Sequence, residues 1–158
     1  MKKFLFVLIL CFAGTVYAES ADDVLGYWFN KEKDAKFEIF KCGSKICGKI
    51  FWLQTPTYTA NDDAVKDKKA QVGQAKVDTE NPDSSQRTRP IVGLAFLTGF
   101  DYGSGNKWEN GKIYDPKSGK TYKSTMTLKS NDVIDVRGYV GWGVASVGKT
   151  STWYRTTK

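Results

Sequence analysis

The chain contains no histidine, so the side chains best placed for chemistry are carboxylates, tyrosines, arginines and one pair of cysteines. Ser-His-Asp and Cys-His nucleophile systems and His-ligated zinc or iron centres are excluded at once. Cys42 and Cys47 are the cysteines left when Cys11 is set aside with the leader described below. Two thiols without a histidine cannot complete a tetrahedral zinc site, so in an oxidising compartment they are expected to form a disulfide. That bridge would remove thiolate chemistry too. Carboxylate catalysis remains, since a glycosidase needs only two well-placed acids. Asp101, Glu109, Asp115 and Asp135 lie in or beside strand-like segments, but nothing in their spacing pairs them. Asp78, Glu80, Asn81 and Asp83 offer oxygens to a calcium ion, yet their spacing departs from an EF-hand loop. No cofactor, no metal and no recognisable catalytic constellation is expected, which leans away from an enzyme.

Gly143 to Thr150 satisfies the phosphate-loop pattern Gly-x-x-x-x-Gly-Lys-Thr literally. That loop works by joining a strand to a helix whose first amides hold the phosphates. Only eight residues follow Thr150, and they read as a strand. A glycine-rich strand connection is expected here, not a nucleotide site.

Tyr122, Arg137, Tyr139 and Tyr154 give the later segments a mixture of aromatic and cationic groups that suits a ligand. Arg137 sits in a strand pattern, where a charge is costly unless it is paired or reaches water. Facing an interior, it would hold the acidic head of a small, largely apolar or amphiphilic molecule. The alternatives are an outward position or pairing with Asp135 or Asp115. Between residues 92 and 100, Val92, Leu94, Phe96 and Phe100 alternate with Gly93, Ala95 and Gly99. That small row either leaves room for a ligand inside or lets something pack closely outside.

The elements that must position these groups begin after residue 18. Lys2 and Lys3, the apolar run Phe4 to Phe12, and small residues at Val16 and Ala18 read as a cleavable signal peptide over residues 1–18. The run is too short to span a bilayer, and no second candidate follows. Leu10 before Cys11 is wrong for a lipoprotein signal. Residues 19–158 are expected to form one exported domain, periplasmic or secreted. Losing Lys2 and Lys3 lowers the net charge from +7 to +5. The remaining basic residues are scattered, and Lys66, Lys68 and Lys69 are mixed with Asp62, Asp63 and Asp67, so a nucleic-acid partner is not expected.

Strand signals dominate, with runs near 24–30, 36–42, 45–53, 91–101, 106–109, 111–115, 120–129, 132–140 and 150–156. Asn110-Gly111 reads as a two-residue hairpin turn. In the first long hairpin, a turn at Ser44-Lys45 would set Cys42 opposite Cys47, Ile39 opposite Ile50 and Phe37 opposite Trp52. The apolar four would then share one face, with the disulfide on the other. Between Pro56 and Pro90 the pattern fails, apart from a short helix over Ala64 to Val72 capped by Asp62 or Asp63. This stretch is expected to be a mobile insertion, or else a lid.

Gly26-Tyr27-Trp28, Cys47-Gly48-Lys49-Ile50, Asn81-Pro82-Asp83, Arg89-Pro90-Ile91-Val92-Gly93-Leu94 and Trp108 occur in order. They continue with Gly111-Lys112-Ile113-Tyr114-Asp115-Pro116, Gly119-Lys120-Thr121-Tyr122, Arg137-Gly138-Tyr139 and Trp153-Tyr154-Arg155. The ordered set resembles the uncharacterised bacterial secreted family known as domain of unknown function 2147, although the lysine-rich stretch at residues 62–76 looks longer than is usual there. A second similarity is to lipocalin-like barrels, which place Gly-x-Trp on the first strand and Arg on the last. It implies that Trp28 and Arg155 form a structural clasp where a barrel closes, through a cation–π contact of roughly 0.5–2 kcal/mol. The expected fold is all-β: one antiparallel lipocalin-like barrel of eight or nine strands with a long polar loop, or alternatively a sandwich. The expected function is non-enzymatic binding of a small, largely apolar ligand; a filled barrel would instead be a structural or interaction module, and a carboxylate hydrolase ranks below both.

Overall fold

The computed structural model describes residues 20–141 and 143–158, so the expected signal peptide lies outside the described residues. The strands are β1 (Gly26–Asn30), β2 (Ala35–Cys42), β3 (Lys45–Leu53), β4 (Ala95–Tyr102), β5 (Lys107–Asp115), β6 (Lys120–Ser130), β7 (Val133–Val140) and β8 (Val147–Thr156). Each pairs antiparallel with the next and β8 returns to β1, closing an eight-stranded barrel. A sandwich is thereby ruled out. Alternation turns Trp28, Ile39, Met126, Ile134 and Val136 inward, where they are almost wholly buried together with Leu97, Phe100 and Trp108.

One strand fewer than nine forms because Asn110-Gly111 is not a turn. The residues expected as two strands make the single β5, and its register against β6 shifts between Trp108 and Gly111. Asn110 takes a positive φ of 60° inside a bulge. Gly111 is there because the Phe100 ring covers it: a Cβ would meet that ring at 2.4 Å.

The β2–β3 hairpin also departs from the expected register. Its turn is Gly43-Ser44, so Cys42 pairs with Lys45 and Phe40 with Cys47. Gly43 has φ 69°, which suits the first central position of a two-residue hairpin turn. Cys42 and Cys47 are bonded nonetheless, with Cα atoms 5.8 Å apart, diagonally across a twisted ladder. Phe37 opposes Ile50, and Trp52 opposes Lys36. The extra residue at this shift, Phe51, makes a bulge that turns Trp52 outward; it lies 38% exposed beside Phe29.

Register shifts recur between β3 and β4. Phe96 and Leu97 are both buried there, and the small residues are not an inner row. Ala95 is exposed, and a Cβ on Gly93 or Gly99 would meet nothing within 4 Å. The phosphate-loop pattern is a short 3-10 turn, Gly143–Ala145, leading straight into β8.

Up-and-down order places the chain entry, the β2–β3, β4–β5 and β6–β7 turns and the end of β8 at one end of the barrel. That end is shut. Trp108 Nε1–H donates to the carbonyl of Ala21 at 3.1 Å and Trp28 Nε1–H to that of Val24 at 3.0 Å, drawing residues 20–25 across the opening. Arg155 lies opposite Trp28 with its guanidinium 4.1 Å from the indole centroid. It also donates to the carbonyls of Leu25, Asp23 and Asn131.

Candidate functional site

The opposite end of the barrel carries the other four connections, and the β3–β4 insertion arches beside it. Here the interior is not filled. A cavity of about 830 Å³ opens between the barrel mouth and the insertion. Its apolar part is built from Ala35 and Phe37 of β2, Ile50 and Leu53 of β3, and Val77 and Ile91 of the insertion. Phe37 is held from behind by Trp153, with ring centroids 4.3 Å apart, and by Phe96 at 5.0 Å. These rings back the cavity where it meets the packed core.

The insertion is fastened through one buried carboxylate. Asp78 is fully buried and accepts hydrogen bonds from Tyr114 Oη at 2.7 Å, Asn81 Nδ2 at 2.7 Å, and Arg89 Nη2 at 2.9 Å and Nε at 3.1 Å. A buried carboxylate is tolerable only when so fully paired. Burial and the hydrogen bond to Asp78 push the Tyr114 phenol up to about 12. The β5–β6 turn presses on the same place: a Cβ on Gly119 would lie 1.9 Å from the carbonyl oxygen of Glu80. Backbone bonds Asp78 N–H to Arg89 and Ile91 N–H to Lys76 complete the fastening.

The other half of the insertion is held by a short backbone bridge at Thr57 and Ala75, by buried Tyr58, whose Oη donates to the Val77 carbonyl, and by ion pairs nearer the surface. The expected helix is a single turn, α1 (Asp63–Lys66), and Asp62 does not cap it. Its carboxylate instead accepts from Thr59 N–H at 2.7 Å, from Thr59 Oγ1 at 2.8 Å and from Lys76. The Lys76 contact, first, and the Thr59 bonds lower the Asp62 pKa to about 2. Lys69 pairs with Glu80 at 2.6 Å, and each stabilises the other's charge.

The cavity lining includes none of Tyr122, Arg137, Tyr139 and Tyr154. Alternation on β7 puts Ile134 and Val136 inside, so Arg137 and Tyr139 project from the outer face. Arg137 lies 5.0 Å from the Tyr139 ring and donates to Ser146 Oγ at 3.2 Å. Of the placements left open for Arg137, the structure takes the outward one, away from the cavity. Tyr154 is on the outer surface as well, beside inward Trp153, whereas Tyr122 shares the inward parity of Ser124 and Met126.

The acids considered for catalysis are spread over the molecule. Asp101 opposes Glu109 on the outer wall and pairs with Lys45 at 2.5 Å. Asp135 accepts from Thr152, and Asp115 caps its own turn through Lys117 N–H and Ser118 Oγ. Of the calcium candidates, Asp78 is taken by its cluster, Glu80 by Lys69, and Asp83 by Ser85.

Residues 26–155 match the family described as an uncharacterized protein conserved in bacteria, DUF2147. The chain belongs to the DUF2147 family. Several of the segments that carry the family likeness converge on the Asp78 cluster: Asn81, Arg89, Tyr114 and Gly119 all meet there. The barrel superposes on a protein from the human pathogen Helicobacter pylori described as belonging to the lipocalin family. The TM-score is 0.66 at 23% identity, covering 89% of this chain and 85% of that one. This likeness establishes a lipocalin-like fold for a DUF2147 chain. No functionally curated protein shows significant similarity to it.

Proposed function

We propose that this DUF2147 protein is an exported, non-enzymatic binding protein that holds one small, largely apolar molecule at the open end of its barrel. The observation that carries the reading is the cavity of about 830 Å³ floored by Phe37, Ile50, Leu53 and Ile91. Its size lies within the range of about 300–1,000 Å³ common for small-molecule pockets, and apolar surface there is costly to leave in contact with water. The Cys42–Cys47 disulfide supports an oxidising compartment, in keeping with a cleaved leader over residues 1–18. The insertion at 56–90 serves as the movable flank of the site. Its tip, around α1, is held by ion pairs on exposed side chains, which hold little, whereas a short backbone bridge and buried Tyr58 anchor its base.

Native mass spectrometry of protein purified from its own host tests the reading directly. The expected result is a bound species of a few hundred daltons that is lost on delipidation and competes with an apolar fluorescent probe. If the native protein carries no adduct and the delipidated protein shows no saturable probe binding, the barrel is a structural or interaction module instead.

A further inference from the structure

We infer that the ligand of this cavity is an organic cation, an apolar body carrying an amine or quaternary ammonium group; this rests on the binding reading above. The carboxylates lining the cavity are Asp34, Asp62, Asp63, Asp67 and Glu80, against the ammonium groups of Lys69, Lys76 and Lys117. Lys66 pairs with Asp63 from just outside the lining, so five acids face four bases and the mouth keeps one net negative charge. The internal pairs show where that charge lies. Asp62 is paired with Lys76 at 2.8 Å, Asp63 with Lys66 at 3.4 Å, and Glu80 and Asp67 share Lys69 at 2.6 and 3.7 Å, so these lysines are already spent within the protein. Asp34 is left with an amide contact from Asn30 Nδ2 at 2.5 Å, and no cation pairs with it among the described residues.

Position matters as much as count. Asp34 immediately precedes Ala35 and stands at the head of the strand that carries Phe37, so its charge borders the apolar floor. A ligand lying on Phe37 and Ile50 with its polar end at the rim would bring that end to Asp34. Low-dielectric walls focus the field of such a rim and select the sign of what enters. The aromatic floor works in the same direction, since a ring face attracts cations and repels anions. With Arg137 outside the barrel, no arginine remains in the lining to receive an acidic head.

The test uses three ten-carbon probes at sub-micellar concentration with delipidated full-length mature protein: decyltrimethylammonium, decanol and decanoate. The expected order is cation tightest, alcohol intermediate and carboxylate weakest, with about tenfold between the extremes. Asp34→Asn should weaken the cation about threefold and leave decanol unchanged. Raising salt from low to 0.5 M should weaken the cation in the same manner, which needs no substitution. Decanoate binding as tightly as the cation, or cation binding indifferent to both salt and Asp34→Asn, overturns the inference while leaving a binding site in place. If none of the three probes binds, the binding reading itself fails and the inference falls with it.

Discussion

The two ends of this barrel are built on opposite principles. At the closed end, Trp28, Trp108 and Val24 are fully buried, both indole N–H groups are bonded to backbone carbonyls, and Arg155 ties β8 to the chain entry. At the open end, Trp52, Val92, Val140 and Val147 are left exposed at strand ends around the mouth. There the fixed groups are a polar cluster around Asp78 and a few ion pairs. The closed end uses tight packing, which specifies one structure; the open end uses polar contacts that can be remade when something enters. Under the binding role proposed above, stability and binding would fall to different halves of one sheet.

The sharpest way to break that division is Arg155→Ala. Its guanidinium stacks on Trp28 and is shared among three backbone carbonyls, and burial lowers its pKa from the ordinary arginine value. Removing it forfeits charge-assisted hydrogen bonds and leaves those carbonyls short of partners, a loss of about 3 kcal/mol. Urea denaturation should show the full loss in midpoint, with probe affinity unchanged in the folded population. A variant as stable as the wild type would show that the clasp is not what shuts this end.

The Cys42–Cys47 bridge belongs to the same end and should have the next largest effect. Chain-entropy reasoning for so short a loop gives about 2 kcal/mol, since the bond restricts mainly the unfolded chain. The intact mass should be two protons below that of the free dithiol. Reduction should lower the thermal midpoint and again spare the cavity.

Asp78→Asn tests the other half. It removes the charge that Arg89 and Tyr114 address, at a local cost of roughly 1–2 kcal/mol. Because the cluster fastens the insertion and not the sheet, amide exchange over residues 77–91 should accelerate about tenfold or more. The urea midpoint of the barrel should barely move. Equal loss of protection throughout the strands would erase the distinction between the two ends.

These contrasts also explain what the sequence could disclose. The closed end is written in local signals: alternation on each strand, Trp28 and Arg155 on the first and last strands, and two cysteines on one hairpin. Closure itself is implied by the resemblance to lipocalin-like barrels, since the strand signals alone leave a sandwich open. The bulges were not legible, because the reason for Gly111 is the Phe100 ring across the sheet and the reason for outward Trp52 is the extra residue Phe51. Arg137 could not be placed from its own segment, since the inward face of β7 is fixed only once its register is known. The cavity was hidden most completely. Its wall is a segment with no period, brought to the barrel by Asp78, whose partners lie up to 36 residues away in sequence. Asp78, Asn81 and Arg89 carry the signal within that stretch, but their partner Tyr114 lies on β5 and nothing in the sequence joins them.

The smallest effect concerns Asp62, and it refines the comparison by measuring how loosely the outer flank is held. Its folded pKa of about 2 lies below the ordinary 3.8, principally because Lys76 bonds to the ionised form. A group with a depressed folded pKa contributes its stability above the unfolded value and loses it as pH falls through the folded value. The contribution of Asp62 is therefore complete at neutral pH and disappears between about 3.8 and about 2. Carbon-detected NMR titration of the Asp62 carboxyl should place its midpoint near 2. Lys76→Met should raise that midpoint toward 3.8, leaving the Thr59 hydrogen bonds to depress it. The same substitution should cost about 1 kcal/mol of global stability, because the pair is half-buried and only partly screened by water. It also frees Asp62 at the cavity mouth, so the rim gains one uncompensated negative charge. If the open end binds cations, Lys76→Met should tighten decyltrimethylammonium binding while weakening the flank. A midpoint that stays near 2 without Lys76 would mean that the ion pair does not hold this part of the insertion.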